Sequence, residues 1–175
     1  MPPRFFMVFV TAVVLASPYS ADTRTKGKQS FTVHVPPRLS ITAPSAGAEA
    51  ELLPGQSQVQ MAPQTWSIAA NSRSGATVQF TTEQSFHHVT NDSIRRDAEL
   101  RVSILNQNDP LVWEVTQAQA MTAYQAGQEA ATVQVRSNRP GSAVLGLTVT
   151  FLEGDSTSTP PGDYVTTVVG TITAN

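Results

Sequence analysis

The 175-residue sequence contains no cysteine, and only 14% of its residues are charged. The absence of cysteine excludes a small fold held by disulfides, a thiolate metal site and a cysteine nucleophile, so an ordinary apolar core must hold the fold together. The chain also lacks a basic excess, with 11 Lys or Arg against 13 Asp or Glu. Nucleic-acid binding depends on clustered positive charge and is therefore excluded as a function.

No apolar run of the sequence is long enough to cross a membrane as a helix, which requires about 20 residues. The first run, Phe5–Ala16, covers 12 residues and follows a single charge at Arg4. With small or apolar residues at Val14 and Ala16, this pattern predicts a signal peptide over residues 1–21, cleaved after Ala16 or, as second choice, after Ala21. The alternative is an uncleaved anchor. We therefore expect an exported protein of the periplasm, cell surface or extracellular space, which contacts the membrane only through the signal peptide during export.

What the sequence has in abundance is Thr, Ser, Ala, Val and Gln, arranged in short runs of alternating apolar and polar residues. A period of two residues is typical of half-buried β-strands, and turn residues separate the runs at intervals of about eight to twelve residues. The spacing predicts one all-β sandwich of about 8–10 short antiparallel strands over residues 31–175. The polar residues 22–30 before it predict a flexible N-terminal extension.

Three segments carry specific structural expectations. The runs Ala143–Leu152 and Asp163–Ala174, joined by a Pro- and Gly-rich loop, predict a closing β-hairpin. The charged stretch Thr90–Ala98 is typical of a loop. The window Gln117–Gln128 is ambiguous, because its Ala, Gln and Met content permits a short helix ended by Gly127, although a non-helical conformation is favoured.

The last strand carries a resemblance to a known family. Pro161–Tyr164 reads Pro-Gly-Asp-Tyr and leads into the alternating Val and Thr of Thr167–Thr173. This ending, with the preceding run Leu145–Phe151, resembles the closing strands of pilin-like and spore-coat-U-like bacterial surface proteins. The resemblance covers the last 35 residues. It implies an immunoglobulin-like sandwich in an exported subunit that forms fibres or coats.

The N-terminal run Gln29–Val35 is the sharpest functional candidate. Phe31, Val33 and Val35 alternate with polar residues behind a polar lead. In fibres of the chaperone–usher type, such an extension adds a strand to a neighbouring subunit. The simpler expectation is that the same residues form the first strand of their own sandwich, which needs no partner.

Trp66 and Trp113 are candidates for an aromatic platform that stacks sugars. Each alternates with aliphatic residues of its own run, such as Ile68 beside Trp66 and Val115 beside Trp113. This alternation places both rings on the core side of a strand and favours a structural role.

His87 and His88, with Asp92 and Asp97 nearby, are the candidates for a metal site. Adjacent residues of a strand point to opposite faces, so the two histidines cannot chelate one ion as a pair. A surface strand or loop without metal is therefore expected for them.

Catalysis is not indicated. The sequence contains no Gly-x-Ser-x-Gly, no His-Glu-x-x-His and no phosphate-binding Gly-rich loop, and Asp155 and Asp163 lack the dense spacing of a calcium loop. We expect no enzyme, no cofactor and no metal, but a structural or adhesive surface protein, such as a fibre or coat subunit that self-associates or binds a partner protein through its sheet edges. The alternative is a small carbohydrate- or ligand-binding sandwich.

Overall fold

The computed structural model describes residues 26–109, 112–153 and 159–175. Within them the chain forms twelve β-strands, one short 3-10 helix and no α-helix, so the all-β prediction is confirmed. The chain divides into two units after His34, and every one of these strands belongs to the second unit. The strands are β1 (Leu39–Thr42), β2 (Gln58–Gln60), β3 (Gln64–Ala70), β4 (Ala76–Thr82), β5 (Phe86–His88), β6 (Asn91–Gln107), β7 (Trp113–Gln117), β8 (Gln119–Met121), β9 (Thr132–Ser137), β10 (Gly141–Leu152), β11 (Tyr164–Val165) and β12 (Val168–Ala174).

Two antiparallel sheets make a sandwich. Eight strands form the first sheet in the order β1-β3-β10-β6-β5-β11, with β2 paired to β10 and β8 paired to β6. Four strands form the second sheet in the order β12-β4-β9-β7. The 17-residue β6 joins two parts of the first sheet, because its beginning pairs with β5 and its remainder with β10. The sandwich prediction is confirmed, with more strands than expected.

The main core lies between the sheets. On β4, Val78 and Phe80 are completely buried, whereas Gln79 between them is exposed. Leu145 and Leu147 of β10 belong to the same buried cluster and come from the first sheet. Burial of each such side chain contributes about 1.5–3 kcal/mol to stability. Alternation in both sheets therefore builds the core that a chain without cysteine needs.

The predicted closing hairpin is wrong. The run Ala143–Leu152 lies in β10, which pairs with β2, β3 and β6 in the first sheet. The run Asp163–Ala174 contains two strands: β11 pairs with β5, and β12 pairs with β4 in the second sheet. The chain thus changes sheets between Val165 and Val168. Period-two alternation shows which face of a strand is buried but not which strand it pairs with.

The structure tests the predictions for three local segments. Phe31–Val35 forms no strand, so the expectation that it opens the sandwich is wrong. Thr90–Ala98 is not a loop, because β6 begins at Asn91 and continues through its charged residues. In Gln117–Gln128 a short strand is followed by one turn of 3-10 helix, which ends at Gly127 with φ of 78°.

Two predictions fall on residues that the structure does not describe. The signal peptide of residues 1–21 lies outside the described ranges, and so does Asp155. Export therefore stays a prediction. Among the described residues, no helix combines the length and the apolar character needed to span a membrane.

Candidate functional site

The segment Gln29–Val35 presents its apolar side chains to solvent. Phe31 and Val33 are each 84% exposed, and Val35 is 69% exposed. Covering each of these side chains would contribute about 1.5–3 kcal/mol, so three of them in one alternating segment form a strong driving force for association. The segment has the exposure and the period expected of a strand that pairs with a partner.

Asn71 fixes the chain directly after this segment. Its side-chain N–H donates to the Pro36 carbonyl oxygen over 3.2 Å, and its side-chain oxygen accepts from the Arg38 N–H. The Asn71 backbone N–H also donates to the Arg38 carbonyl oxygen at 3.1 Å. Because a proline disfavours the helical conformation of the residue before it, Pro36 and Pro37 keep this stretch extended. Asn71 therefore holds residues 36–38, which directly precede β1.

The edge strands β1 and β12 of the two sheets lie against each other. A Cβ on Gly170 of β12 would be 2.9 Å from the Ile41 side chain and 2.8 Å from the Trp66 side chain, so the close approach depends on glycine. We call this boundary the edge seam. It consists of Leu39 and Ile41 on β1 and of Val168, Gly170 and Ile172 on β12.

The edge seam has backbone groups available for another strand. Among the described residues, β1 pairs only with β3 and β12 pairs only with β4. On the β4 side, the Thr167 carbonyl oxygen accepts from the Glu83 N–H at 2.9 Å. Alternation along an antiparallel strand then directs the N–H and C=O groups of Val168, Gly170 and Ile172 to the other side. A free strand edge of this kind is ready for pairing with an added strand.

Both tryptophans are core residues, as their alternation predicts. Trp66 is 8% exposed and Trp113 is 2% exposed. Trp66 also meets Phe80 edge to face, with ring centroids 5.0 Å apart. An aromatic sugar platform on either ring is therefore ruled out.

We expect tryptophan fluorescence to report this burial. Emission of the folded protein should be blue-shifted and weakly quenched by iodide, because neither ring is accessible to a charged quencher. A steady-state titration with iodide measures this, and the protein unfolded in guanidinium chloride provides the fully quenchable reference. Equal quenching of the folded and the unfolded protein would contradict the burial of the two rings.

His87 and His88 lie on β5, where adjacent side chains point to opposite faces. His88 is buried, so the surface location expected for the pair is wrong for this residue. Its Nδ1 accepts from the Thr90 N–H at 3.2 Å, which leaves Nε2 to donate to the Pro161 carbonyl oxygen at 3.2 Å. His87 instead bonds the Gln84 side chain at 2.7 Å. The two rings therefore have separate structural contacts.

The carboxylates near the histidines do not complete a metal site. Asp97 accepts a hydrogen bond from the Thr122 hydroxyl at 2.7 Å, and Asp92 lies 3.8 Å from His87. Asp163 is exposed. Within the described ranges, no group of three or more His, Cys, Asp or Glu side chains is placed to hold an ion.

Two titratable groups have shifted pKa values. The Ser85 hydroxyl donates to Glu129 at 2.8 Å and, with the Arg95 guanidinium at 2.8 Å, lowers the pKa of the Glu129 carboxyl against the opposing effect of burial. Burial raises the pKa of Tyr164, whose hydroxyl donates to the Pro160 carbonyl oxygen at 3.0 Å. Both shifts arise from contacts within the fold.

No protein-family model, curated protein or solved structure matches the chain. The geometry of the chain itself must therefore carry any functional inference. Sequence reasoning identified Gln29–Val35 but missed the edge seam, because strand pairing creates it. Gly170 in the middle of a Val- and Thr-rich strand was the available signal, since glycine inside a strand often marks a close backbone approach.

Proposed function

We propose that this protein is an exported structural subunit whose segment Gln29–Val35 adds a β-strand to the edge seam of a second copy. The observation that carries the proposal is the 84% exposure of both Phe31 and Val33 in an alternating segment. A strand added to β12 would satisfy backbone groups on both chains and direct alternate side chains to the partner's core. The immunoglobulin-like topology and the pilin-like or coat-like role implied by the C-terminal strands belong to this proposal.

The segment and the edge seam match in length. Gln29–Val35 and β12 each contain seven residues, which span about 23 Å in an extended conformation. Val168 and Ile172 pack against the main core but are only half-buried. An added strand along β12 would therefore cover apolar surface on both partners.

Charge favours a second copy as the partner. Residues 22–34 contain three Lys or Arg and one Asp, a formal net charge of +2. Residues 35–175 contain seven Lys or Arg and twelve Asp or Glu, a formal net charge of −5. Opposite net charges speed the encounter of the segment of one copy with the sandwich of another, and added salt weakens this effect.

Removal of the segment tests the proposal. We expect a chain that begins at Asp22 to form oligomers or filaments, and a chain that begins at Pro36 to stay monomeric. At concentrations too low for assembly, the thermal unfolding of both chains should be similar, because the large apolar side chains that the truncation removes are exposed in the monomer. Sedimentation velocity over a concentration series and negative-stain electron microscopy distinguish the outcomes. If both chains are equally monomeric at the highest concentration, strand addition by this segment is rejected.

A further inference from the structure

We infer that the outward face of the first sheet carries a groove that binds a neutral oligosaccharide. The groove has a volume of about 450 Å³ and crosses β1, β3, β10 and the end of β6. It lies on the face of the sheet, whereas the edge seam uses the backbone edge of β1 and β12. The inference therefore stands apart from the proposed strand addition.

Two rows of outward-facing side chains form the groove. The first row, in register across four strands, consists of Thr42, Ser67, Val144 and Asn106. The second row consists of Ser40, Ala69 and Ser142. Neighbouring strands lie about 4.8 Å apart, so the first row extends over about 14 Å. An extended chain of a few sugar units fits such a row better than a compact ligand does.

The groove offers neutral hydrogen-bonding groups. Five of its side chains have a hydroxyl or amide that makes no hydrogen bond within the described part of the chain: Ser40, Thr42, Ser67, Asn106 and Ser142. Each of these groups both donates and accepts, as the hydroxyls of a sugar do. No Lys, Arg, Asp or Glu is among the described residues that line the groove. A phosphate, sulfate or carboxylate ligand would find no counter-charge there.

A β-bulge lies at the β6 end of the groove, next to Val144 and Asn106. The register between β10 and β6 shifts after Val144, and Leu105 is left without a partner opposite it. Leu105 is 57% exposed and lies over Gly146, where a Cβ would be 3.1 Å from the leucine side chain. Bulges often re-aim a side chain next to a binding site. This bulge presents an apolar side chain next to Asn106, a combination that suits the C–H faces and hydroxyls of a sugar.

Other ligand classes fit less well. A peptide that binds by strand addition pairs with the backbone edge of a sheet, whereas the groove crosses the face of four strands and is lined by their side chains. A purely apolar ligand would bury the free hydroxyls without a partner, which is unfavourable. A neutral glycan satisfies these groups and is the class that the chemistry selects.

Saturation-transfer difference NMR tests the inference on the chain that begins at Asp22. The method observes the sugar, so it works whether the protein is monomeric or assembled, and its outcome is separate from that of the strand-addition experiment. We expect saturation transfer to maltohexaose, cellohexaose or xylohexaose, and none to an oligogalacturonate. Transfer to none of the three neutral sugars, or equal transfer to the anionic one, would overturn the inference.

Two isosteric variants locate the site. The double variant Thr42→Val and Asn106→Leu removes two hydrogen-bonding groups from the groove and should weaken binding by about tenfold, because each lost hydrogen bond reduces affinity several-fold. The matched control, Thr171→Val and Thr173→Val, changes two exposed residues on the other sheet and should bind like the unaltered chain. Circular dichroism confirms that both variants fold. Unchanged binding by the groove variant would place the glycan elsewhere and refute the inference.

Discussion

Replacement of Gly75 by alanine is expected to destabilise the protein by at least about 3 kcal/mol. Gly75 has a φ of +82°, and a Cβ there would lie 2.2 Å from the Ser137 carbonyl oxygen and 2.5 Å from its carbonyl carbon. Ser137 ends β9 in the second sheet, so the obstacle is backbone that cannot rotate away. Guanidinium chloride unfolding followed by circular dichroism measures the loss.

Gly127 provides the matched control for this prediction. It also has a positive φ, of +78°, but a Cβ there would meet no atom within 4 Å. Gly127→Ala should therefore cost only about 1 kcal/mol, the penalty of the left-handed conformation. Equal losses of stability for the two variants would show that the Ser137 backbone does not obstruct a side chain at position 75.

The turn that contains Gly75 also contacts both strands of the edge seam. Asn175 donates its side-chain N–H to the Ser137 carbonyl oxygen at 2.7 Å and its backbone N–H to the Gly75 carbonyl oxygen at 3.1 Å. Asn71, in the same turn, bonds Pro36 just after the exposed segment. One turn therefore anchors both the end of β12 and the start of β1, the two strands of the edge seam. Strain at Gly75 is expected to loosen both.

The strands were predictable because each carries its own signal. Val78 and Phe80 alternate with polar residues, and hydrophobic burial of one face follows from that pattern alone. Strand pairing was not predictable, since every strand of a sandwich offers an apolar face to the same core. The charged start of β6 was predicted to be a loop for a different reason. Arg95 is only half-exposed and bonds Glu129 at 2.8 Å, a contact 34 residues away that no local pattern reveals.

The two candidate functional sites also differ in how far the sequence predicts them. Alternation identified Gln29–Val35, but it is equally compatible with pairing inside the chain and pairing with a neighbour. The oligosaccharide groove could not be predicted from the sequence. Its first row combines Thr42, Ser67 and Asn106, which are far apart in the sequence and are brought together by strand pairing. A site that depends on which residues of neighbouring strands lie side by side can be recognised only once the strand register is known.

A charge at the centre of the exposed segment is expected to abolish association between copies. In the proposed strand addition, Val33 would be buried against the partner, and an unpaired carboxylate there would cost several kcal/mol. We therefore expect Val33→Asp to weaken association more than about 100-fold. The folded monomer should keep its stability, since Val33 is 84% exposed. Sedimentation equilibrium measures the association constant, and thermal unfolding measures stability.

Thr32→Asp is the decisive comparison, because it adds the same charge one residue away. Adjacent residues of a strand point to opposite faces, so Thr32 would remain in solvent when Val33 is buried. Its effect should be small and should vanish with added salt, since it reflects only the reduced positive charge of the segment. Equal, salt-sensitive losses for both variants would mean that the segment attracts a neighbour by charge without pairing as a strand. A loss confined to Val33→Asp and insensitive to salt requires that alternate side chains of the segment enter an apolar site on the partner.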